Sequence, residues 1–333
     1  MPAPRGRLAP SPTGALHLGN ARSFLLAWLA IRSRKGGVLV LRIEDLDGPR
    51  VKAGADAAAI EDLRWLGLDW DEGEDAGGEF GPYRQSERGD RYRAAIDRLF
   101  GLGLAYPCVC TRAEIERAAS APHPDEHDVA YPGTCRGRFA SVAAAESASG
   151  RPASVRFRVE PGLVAVGDGF ASARSFDVAR ESGDFVIEKV ERAGRKAGER
   201  TAAYQLACVV DDAAMKIDEV LRGDDLFGSA ARQILLYRAL GLAAPRFFHV
   251  PLLVGEDGRR LAKRHGDTTV RRFRECGVPA AAVVGWLAAV SGLVPFGARA
   301  MPRDLVPGFD LARVPRERVV VRETDVGGLL AER

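Results

Sequence analysis

The order of apolar and polar positions divides the chain into strands and helices from its start. Leu8 closes a short apolar strand that breaks into the turn APSPTGALHLGN (9–20). From Asn20 onward, Phe24, Leu25, Trp28, Leu29 and Ile31 recur at near-helical spacing, which predicts a helix to about Arg34. Gly36 and Gly37 stop it, and VLVLRI (38–43) follows as a continuous apolar run of the kind buried in a parallel sheet. Helical spacing returns in Ala57–Leu66, through Ile60, Leu63, Trp65 and Leu66, and again at about Arg88–Leu102. This strand–helix–strand–helix order opens a doubly wound α/β domain with a Rossmann-type parallel sheet.

Past the third helix the pattern changes. Residues 105–150 hold three of the five cysteines in loops rich in alanine, proline and histidine, and read as an insertion. Strand-like runs return at VRFRV (155–159) and DFVIEKV (184–190). AYQLACVV (203–210), a helix over about 229–240 and FFHVPLLV (247–254) are expected to complete the sheet. Beyond Thr268 the pattern is helical. The uncharged run Gly277–Ala298 is interrupted by Pro279, Gly285, Gly292 and Pro295. A membrane-spanning helix needs about 20 strongly apolar residues, so this run reads as a buried helix and no membrane partner is expected.

Composition narrows the class. With 46% hydrophobic and 28% charged residues in 333, the chain has the make-up of an ordinary globular protein. MPAPRGRL lacks the apolar core of a secretion signal, and an odd number of cysteines argues against a disulfide scaffold, so a reducing, cytoplasmic setting is expected. A net charge of +3 says little, but GRRLAKRHGDTTVRRFRE (258–275) and RAGRKAGER (192–200) are candidate phosphate-binding surfaces.

The opening turn has a chemical use. A helix beginning near His17-Leu18-Gly19-Asn20 puts unpaired backbone N–H groups and a positive dipole end at the top of the sheet, where phosphate binds well. Gly19 permits close approach of a ligand, and His17 can donate to phosphate oxygens. LLVGEDGRRLAKRHG (252–266) sets a basic loop directly after an expected strand, so Lys263 and Arg264 belong at the same edge. The two form a clamp for a triphosphate and suit nucleotidyl transfer, in which positioned cations stabilise charge on the α-phosphate. The GxxxxGK[ST] pattern of P-loop ATPases is absent from the sequence.

At this point a family resemblance becomes specific. RLAPSPTGALHLGN (7–20) resembles the first signature of class I aminoacyl-tRNA synthetases in its glutamyl form. LRIEDLD (41–47), PYRQSER (82–88), AYQLACVVDD (203–212), LRGDDL (221–226) and RLAKRHG (260–266) resemble that branch's other blocks, in the same order. The sequence departs from the signatures at Asn20, where the generic form has a second histidine, and at Arg260 and Ala262, which stand for lysine and serine. Lys263 is retained. The resemblance implies that His17 and Lys263 act in catalysis and that His17, Gly19, Asn20, Lys263 and Arg264 hold ATP, which arrives with Mg2+. It also implies a glutamate pocket of Arg7, Ser11, Tyr204 and Arg222, with Glu44 taking the ammonium. Elementary charge matching agrees, because glutamate carries two carboxylates and one ammonium, and arginine pairs carboxylates in bidentate fashion.

The resemblance extends to the cysteines. Cys108, Cys110, Tyr131 and Cys135 are similar to the zinc knuckle of some glutamyl enzymes, in which three thiolates and a fourth ligand enclose one structural Zn2+. His123 and His127 compete with Tyr131 for the fourth place, while Cys208, in an expected strand, and Cys276 read as packing residues. The implied organisation is a first catalytic half at 1–104, a zinc-binding part at 105–150 and the rest of the insertion at 151–190. The second catalytic half, with the lysine loop, follows at 191–267, and a helical region at 268–333. Glutamyl enzymes continue well over a hundred residues further, into a helical domain that reads the anticodon. Its lack here and the Cys-x-Cys…Tyr-x-x-x-Cys spacing resemble the glutamyl-queuosine tRNA(Asp) synthetase family. That family attaches glutamate to the queuosine base at the first anticodon position of tRNA(Asp). The partners implied are ATP, L-glutamate and the anticodon arm of tRNA(Asp), with the chain acting as a monomer. Two other readings stay open: an enzyme charging the 3′ end of tRNA(Glu), and a non-catalytic RNA-binding relative, against which His17 and Lys263 count.

Overall fold

β1 (Arg5–Leu8) and β2 (Val38–Leu41) pair in parallel, Arg5 opposite Val38 and Leu8 opposite Leu41, and α1 (Leu18–Arg32) crosses between them. The computed structural model describes residues 3–47, 51–118, 130–191, 198–259, 261 and 268–332. α1 buries Leu25, Leu26, Trp28, Leu29 and Ile31, so it lies sandwiched between the sheet and later helices rather than on the surface. α2 (Ala55–Trp65) and α3 (Gly89–Gly101) follow. Between them the chain passes back along the sheet, Glu72 bridging to Val40 and Arg84 to Ile43.

The insertion then builds a sheet of its own. β3 (Ala105–Cys108), α4 (Arg112–Ala118), α5 (Val142–Ser149), β4 (Ser154–Phe157), β5 (Val164–Val166), β6 (Arg174–Phe176), α6 (Val178–Glu181), β7 (Val186–Val190) and β8 (Arg200–Ala202) succeed one another. The order β3-β4-β7-β8 is antiparallel throughout, and β5–β6 is a separate hairpin. The strand-like runs at 155–159 and 184–190 are strands of this sheet.

The chain returns to the parallel sheet through α7 (Tyr204–Ala214), β9 (Glu219–Gly223), α8 (Phe227–Ala239), β10 (Arg246–Val250) and β11 (Leu253–Val254). β9 and β10 are parallel, with Arg222 opposite His249. β9 also lies beside β1, where the Asp218 N–H donates to the Arg5 carbonyl (3.0 Å). The strands therefore run in the order β2, β1, β9, β10. Residues 203–210, expected as a strand, are instead the extended N-cap Ala203 and the first turns of α7. Gln205–Val209, Asp211 and Asp212 of α7 are all buried, and a helix buried on most sides shows no periodicity to separate it from a buried strand. The strand taken for this stretch lies at β9.

α9 (Val270–Glu275), α10 (Ala280–Ala289), α11 (Pro302–Leu305), β12 (Val319–Val320) and α12 (Glu323–Leu330) complete the chain. α10 is the buried helix expected in the uncharged run, and a Cβ at Gly285 would collide with the Ala298 carbonyl that passes over it. Among the described residues no helix is long and apolar enough to cross a membrane. The region is not wholly helical. β12 pairs in parallel with β11, Leu253 opposite Val319, and so braces the strand that leads into the lysine-bearing loop.

Candidate active site

The carboxyl ends of β1, β2, β9 and β10 define one edge, with the change of strand order falling between β1 and β9. Open α/β sheets bind ligands at that place. Beyond β1 and β2 the two chains stay together, Arg42 N donating to Leu8 O (2.9 Å) and Glu44 N to Pro10 O (3.0 Å). Arg7, Ser11 and Glu44 are thereby set side by side, Ser11 exposed, Arg7 and Glu44 buried.

α1 begins where the Pro/Gly turn was expected to launch it. His17 is its N-cap, in extended conformation, and Gly19 and Asn20 lie in the first turn, which holds no acidic residue. A fifteen-residue helix so oriented presents a partial positive charge to the edge. His17 Nδ1 lies 3.3 Å from Thr268 Oγ1, and Leu18 N donates to Thr268 O (3.0 Å). The residue that follows the basic loop is therefore bonded to the helix N-terminus. Lys263 and Arg264, with Arg260 and Ala262, lie outside the described residues; Thr268, which follows them, is the residue bonded to His17 and Leu18.

The rest of the pocket comes from α7 and β9. Arg222 Nη1 lies 3.5 Å from the Tyr204 hydroxyl. Burial raises that hydroxyl well above the usual tyrosine range; Cys208 and Glu44 add to the rise, and Arg222 and Arg7 oppose it. Arg222 reaches Tyr204 directly, and the charges of Arg7 and Glu44 are near enough to act on its hydroxyl. Glu44 Oε1 accepts from Arg42 Nη2 (2.9 Å) and from the Cys208 thiol (3.6 Å). Burial and Glu44 push that thiol well above its ordinary value, so it stays a neutral donor. Cys208 packs as expected, on a helix and not a strand.

Several buried charges were missed from the sequence although they lie inside the quoted blocks. Arg42 joins Glu44 to Asp212 (Nη1 to Oδ1, 2.6 Å), and Arg7 Nε, without a hydrogen bond, is 3.6 Å from the same oxygen. Asp211 accepts from Gln85 Nε2 (2.8 Å), Arg88 Nε (2.5 Å) and the Tyr92 hydroxyl (2.8 Å). An unpaired buried charge is strongly destabilising, so these arginines and acids must be paired once their blocks are buried together, though the sequence does not say with which partner. His249 and Asp168, bonded at 2.6 Å behind Arg222, carried no local signal.

The cysteine group is assembled too. The sulfurs of Cys108, Cys110 and Cys135 lie within 4.8 Å of one another and could hold a metal ion. The Tyr131 oxygen is 3.3 Å from Cys108 Sγ and 3.6 Å from Cys110 Sγ, and accepts from Cys135 N (2.8 Å). Cys110 and Cys135 sulfurs are 3.5 Å apart, close to the roughly 3.8 Å that tetrahedral bonds of about 2.3 Å to zinc would set. The Arg156 guanidinium stacks 3.7 Å over the Tyr131 ring. Burial pushes the Cys108 thiol up, but Arg156 and the Tyr131 hydrogen bond outweigh it and leave the thiol below its ordinary value. His123 and His127 lie outside the described residues.

The basic stretches are less free than their composition suggests. Arg200 pairs with Glu188 and Glu146, and Arg274 with Glu61 and Asp62; residues 192–197, 260 and 262–267 lie outside the described residues.

Comparison with known proteins places the chain in a family. Residues 5–300 match the family described as tRNA synthetases class I (E and Q), catalytic domain. A Glutamyl-Q tRNA(Asp) synthetase of Symbiobacterium thermophilum is 49% identical over 325 residues, which are 97% of this chain and 98% of that one. A Glutamate–tRNA ligase 2 of Syntrophus aciditrophicus is 40% identical over 96% of this chain but only 64% of its own length. The crystal structure of a glutamate tRNA ligase from Elizabethkingia meningosepticum, in complex with its amino acid, superposes with a TM-score of 0.80 at 27% identity, covering 98% of this chain and 68% of that one. The chain belongs to the glutamate and glutamine branch of the class I tRNA synthetases, and within it to the glutamyl-Q tRNA(Asp) synthetase family.

Proposed function

We propose that the chain activates L-glutamate with MgATP to glutamyl adenylate and transfers the glutamyl group to the queuosine base at the first anticodon position of tRNA(Asp). The observation that carries the reading is the buried network that ties Arg7 and Glu44 through Arg42 and Asp212 to α7, the helix whose Tyr204 meets Arg222. A glutamate carboxylate oxygen bonds to the α-phosphorus of ATP, and pyrophosphate leaves. Arg7 and Arg222 hold carboxylates, Ser11 lines the pocket mouth, and Glu44 faces the ammonium with the oxygen that Arg42 does not occupy. His17, Gly19 and Asn20 at the helix N-terminus, with Lys263 and Arg264, hold the triphosphate and stabilise the charge that grows on it. Because the pocket is complete within the chain, glutamate-dependent ATP–pyrophosphate exchange should proceed without tRNA. Lys263→Ala should slow it by about 10²-fold, as expected for loss of a transition-state contact. An unchanged rate removes Lys263 from the mechanism.

The 40% identity to a glutamate–tRNA ligase favours one second reading, the charging of tRNA(Glu) at its 3′ end. Exchange that starts only when tRNA is added would support it.

One Zn2+ fits the thiol group. Cys108, Cys110, Tyr131 and Cys135 would hold it, and its role there is a structural cross-link between β3 and the loop after residue 130. Near-stoichiometric zinc should copurify, and Cys108→Ser or Cys135→Ser should lose it and destabilise the insertion while exchange survives in part. Metal analysis finding no zinc in protein purified without chelator would overturn the assignment.

A further inference from the structure

Behind the pocket stands a pair of residues from two distant parts of the chain. Asp168 follows β5 in the insertion, and His249 lies in β10. Both side chains are wholly buried and are bonded through Asp168 Oδ2 and His249 Nδ1 at 2.6 Å. The other imidazole nitrogen, Nε2, is 3.1 Å from Arg222 Nε. A guanidinium has only donors, so Nε2 must present its lone pair and the ring proton must sit on Nδ1, facing Asp168. The carboxylate fixes that tautomer and is itself fixed. Asp168 Oδ1 accepts from the N–H groups of Phe170 (2.9 Å) and Ala171 (2.7 Å), and both oxygens lie 3.2 Å from His249 N. Burial, with the Arg222 charge beside it, keeps the imidazole below its ordinary value although Asp168 pulls the other way; neutrality is what an acceptor needs. The Phe227 ring meets the imidazole edge-on at 4.5 Å and Phe247 stacks at 6.0 Å.

Arg222 is thereby pinned along two edges. Nε is bonded to His249, and Nη2 to Gln233 Oε1 (2.9 Å) and Leu226 O (3.4 Å). The remaining nitrogen, Nη1, faces Tyr204. We propose that His249, oriented by Asp168, is the positioning residue that aims the Arg222 guanidinium into the pocket and so sets affinity for glutamate. The proposal rests on the reading of Arg222 as a glutamate ligand. It also gives the insertion a part in amino-acid recognition, since the anchor of the relay belongs to it.

A packing role and a positioning role separate in steady-state exchange kinetics on the full chain. Loss of a hydrogen bond to a charged group corresponds to about 10–100-fold in binding. His249→Leu should raise KM for glutamate by roughly that factor, with KM for ATP within about 2-fold and kcat within about 3-fold. His249→Gln, whose carbonyl can accept from Arg222 Nε, should restore most of the glutamate affinity. Asp168→Asn keeps the shape and should raise the glutamate KM in the same direction as His249→Leu. A folded His249→Leu protein with wild-type glutamate KM overturns the proposal. So does equal loss in His249→Leu and His249→Gln. If His249→Leu does not fold, an unchanged glutamate KM in Asp168→Asn overturns it. Arg222→Ala is the separate control. Wild-type glutamate kinetics in that variant would remove the pocket reading itself, whereas collapse there beside an unaffected His249→Leu removes the relay alone.

Discussion

Labelled glutamate is expected on tRNA(Asp) that carries queuosine, and on neither the same tRNA with guanosine at that position nor tRNA(Glu). The effect is all or none, because it rests on a nucleophile that is present or absent. The cyclopentenediol of queuosine offers a hydroxyl that attacks the adenylate as a ribose hydroxyl would, and guanosine has no such group. The activation site needs no new catalytic residue for this change; only the way the RNA is held must differ. Shape and phosphate contacts can supply that holding. With Arg200 and Arg274 committed to acidic partners, the other cations of the two basic stretches are the candidates for it. Incubation with ATP, labelled glutamate and the three purified tRNAs, followed by nuclease digestion, reads the outcome. Label at the 3′ ribose of tRNA(Glu) would promote the acceptor-end reading.

The second large effect is expected at Arg222. Arg222→Ala should lower kcat/KM for glutamate in exchange by about 10²–10³-fold, since truncating one partner of a buried, hydrogen-bonded charge pair costs about 3–4 kcal/mol. The loss is steep because the guanidinium sits in a buried setting, where a carboxylate seated opposite alanine finds little solvent to replace it. The same substitution should leave the KM for ATP nearly unchanged, because the triphosphate is proposed to bind at α1 and the basic loop. A loss of less than about 3-fold would dismiss Arg222 from the pocket, since the charge pair argued for is worth far more than that.

How much of this was legible from the sequence depended on how local the signal was. The βαβ opening was legible because Phe24 to Ile31 and VLVLRI follow different periods and glycines separate them. Residues 203–210 were not, because burial of α7 on most sides erased the period by which helix and strand are told apart. β12 was missed for the opposite reason. Two residues in a region of helical pattern carry no strand signal, and only the open edge of β11 recruits them. Within the site, Arg7, Glu44, Tyr204 and Arg222 stood out through their blocks, and the structure brings them together. Arg42 and Asp212 lay in those blocks unremarked, since a pairing across 170 residues has no local signature. Asp168 was further out of reach, in an insertion whose pattern holds nothing that connects it with amino-acid binding.

The contact between β1 and β9 bears on how the molecule is made. Arg5 N donates to Asp218 Oδ1 across 213 positions of the chain. At translation speeds of about 5–20 residues per second, the partner leaves the ribosome roughly 10–40 seconds after the first strand. During that interval the β1–α1–β2 unit can close on itself, but one edge of its apolar strand stays open, and open edges recruit other chains. The insertion needs no such wait, since its four-stranded sheet is contained between positions 105 and 202. The nascent chain would therefore hold a finished insertion next to an unfinished nucleotide fold. The active site, which draws on β1 and β9 together, forms only after the insertion is complete.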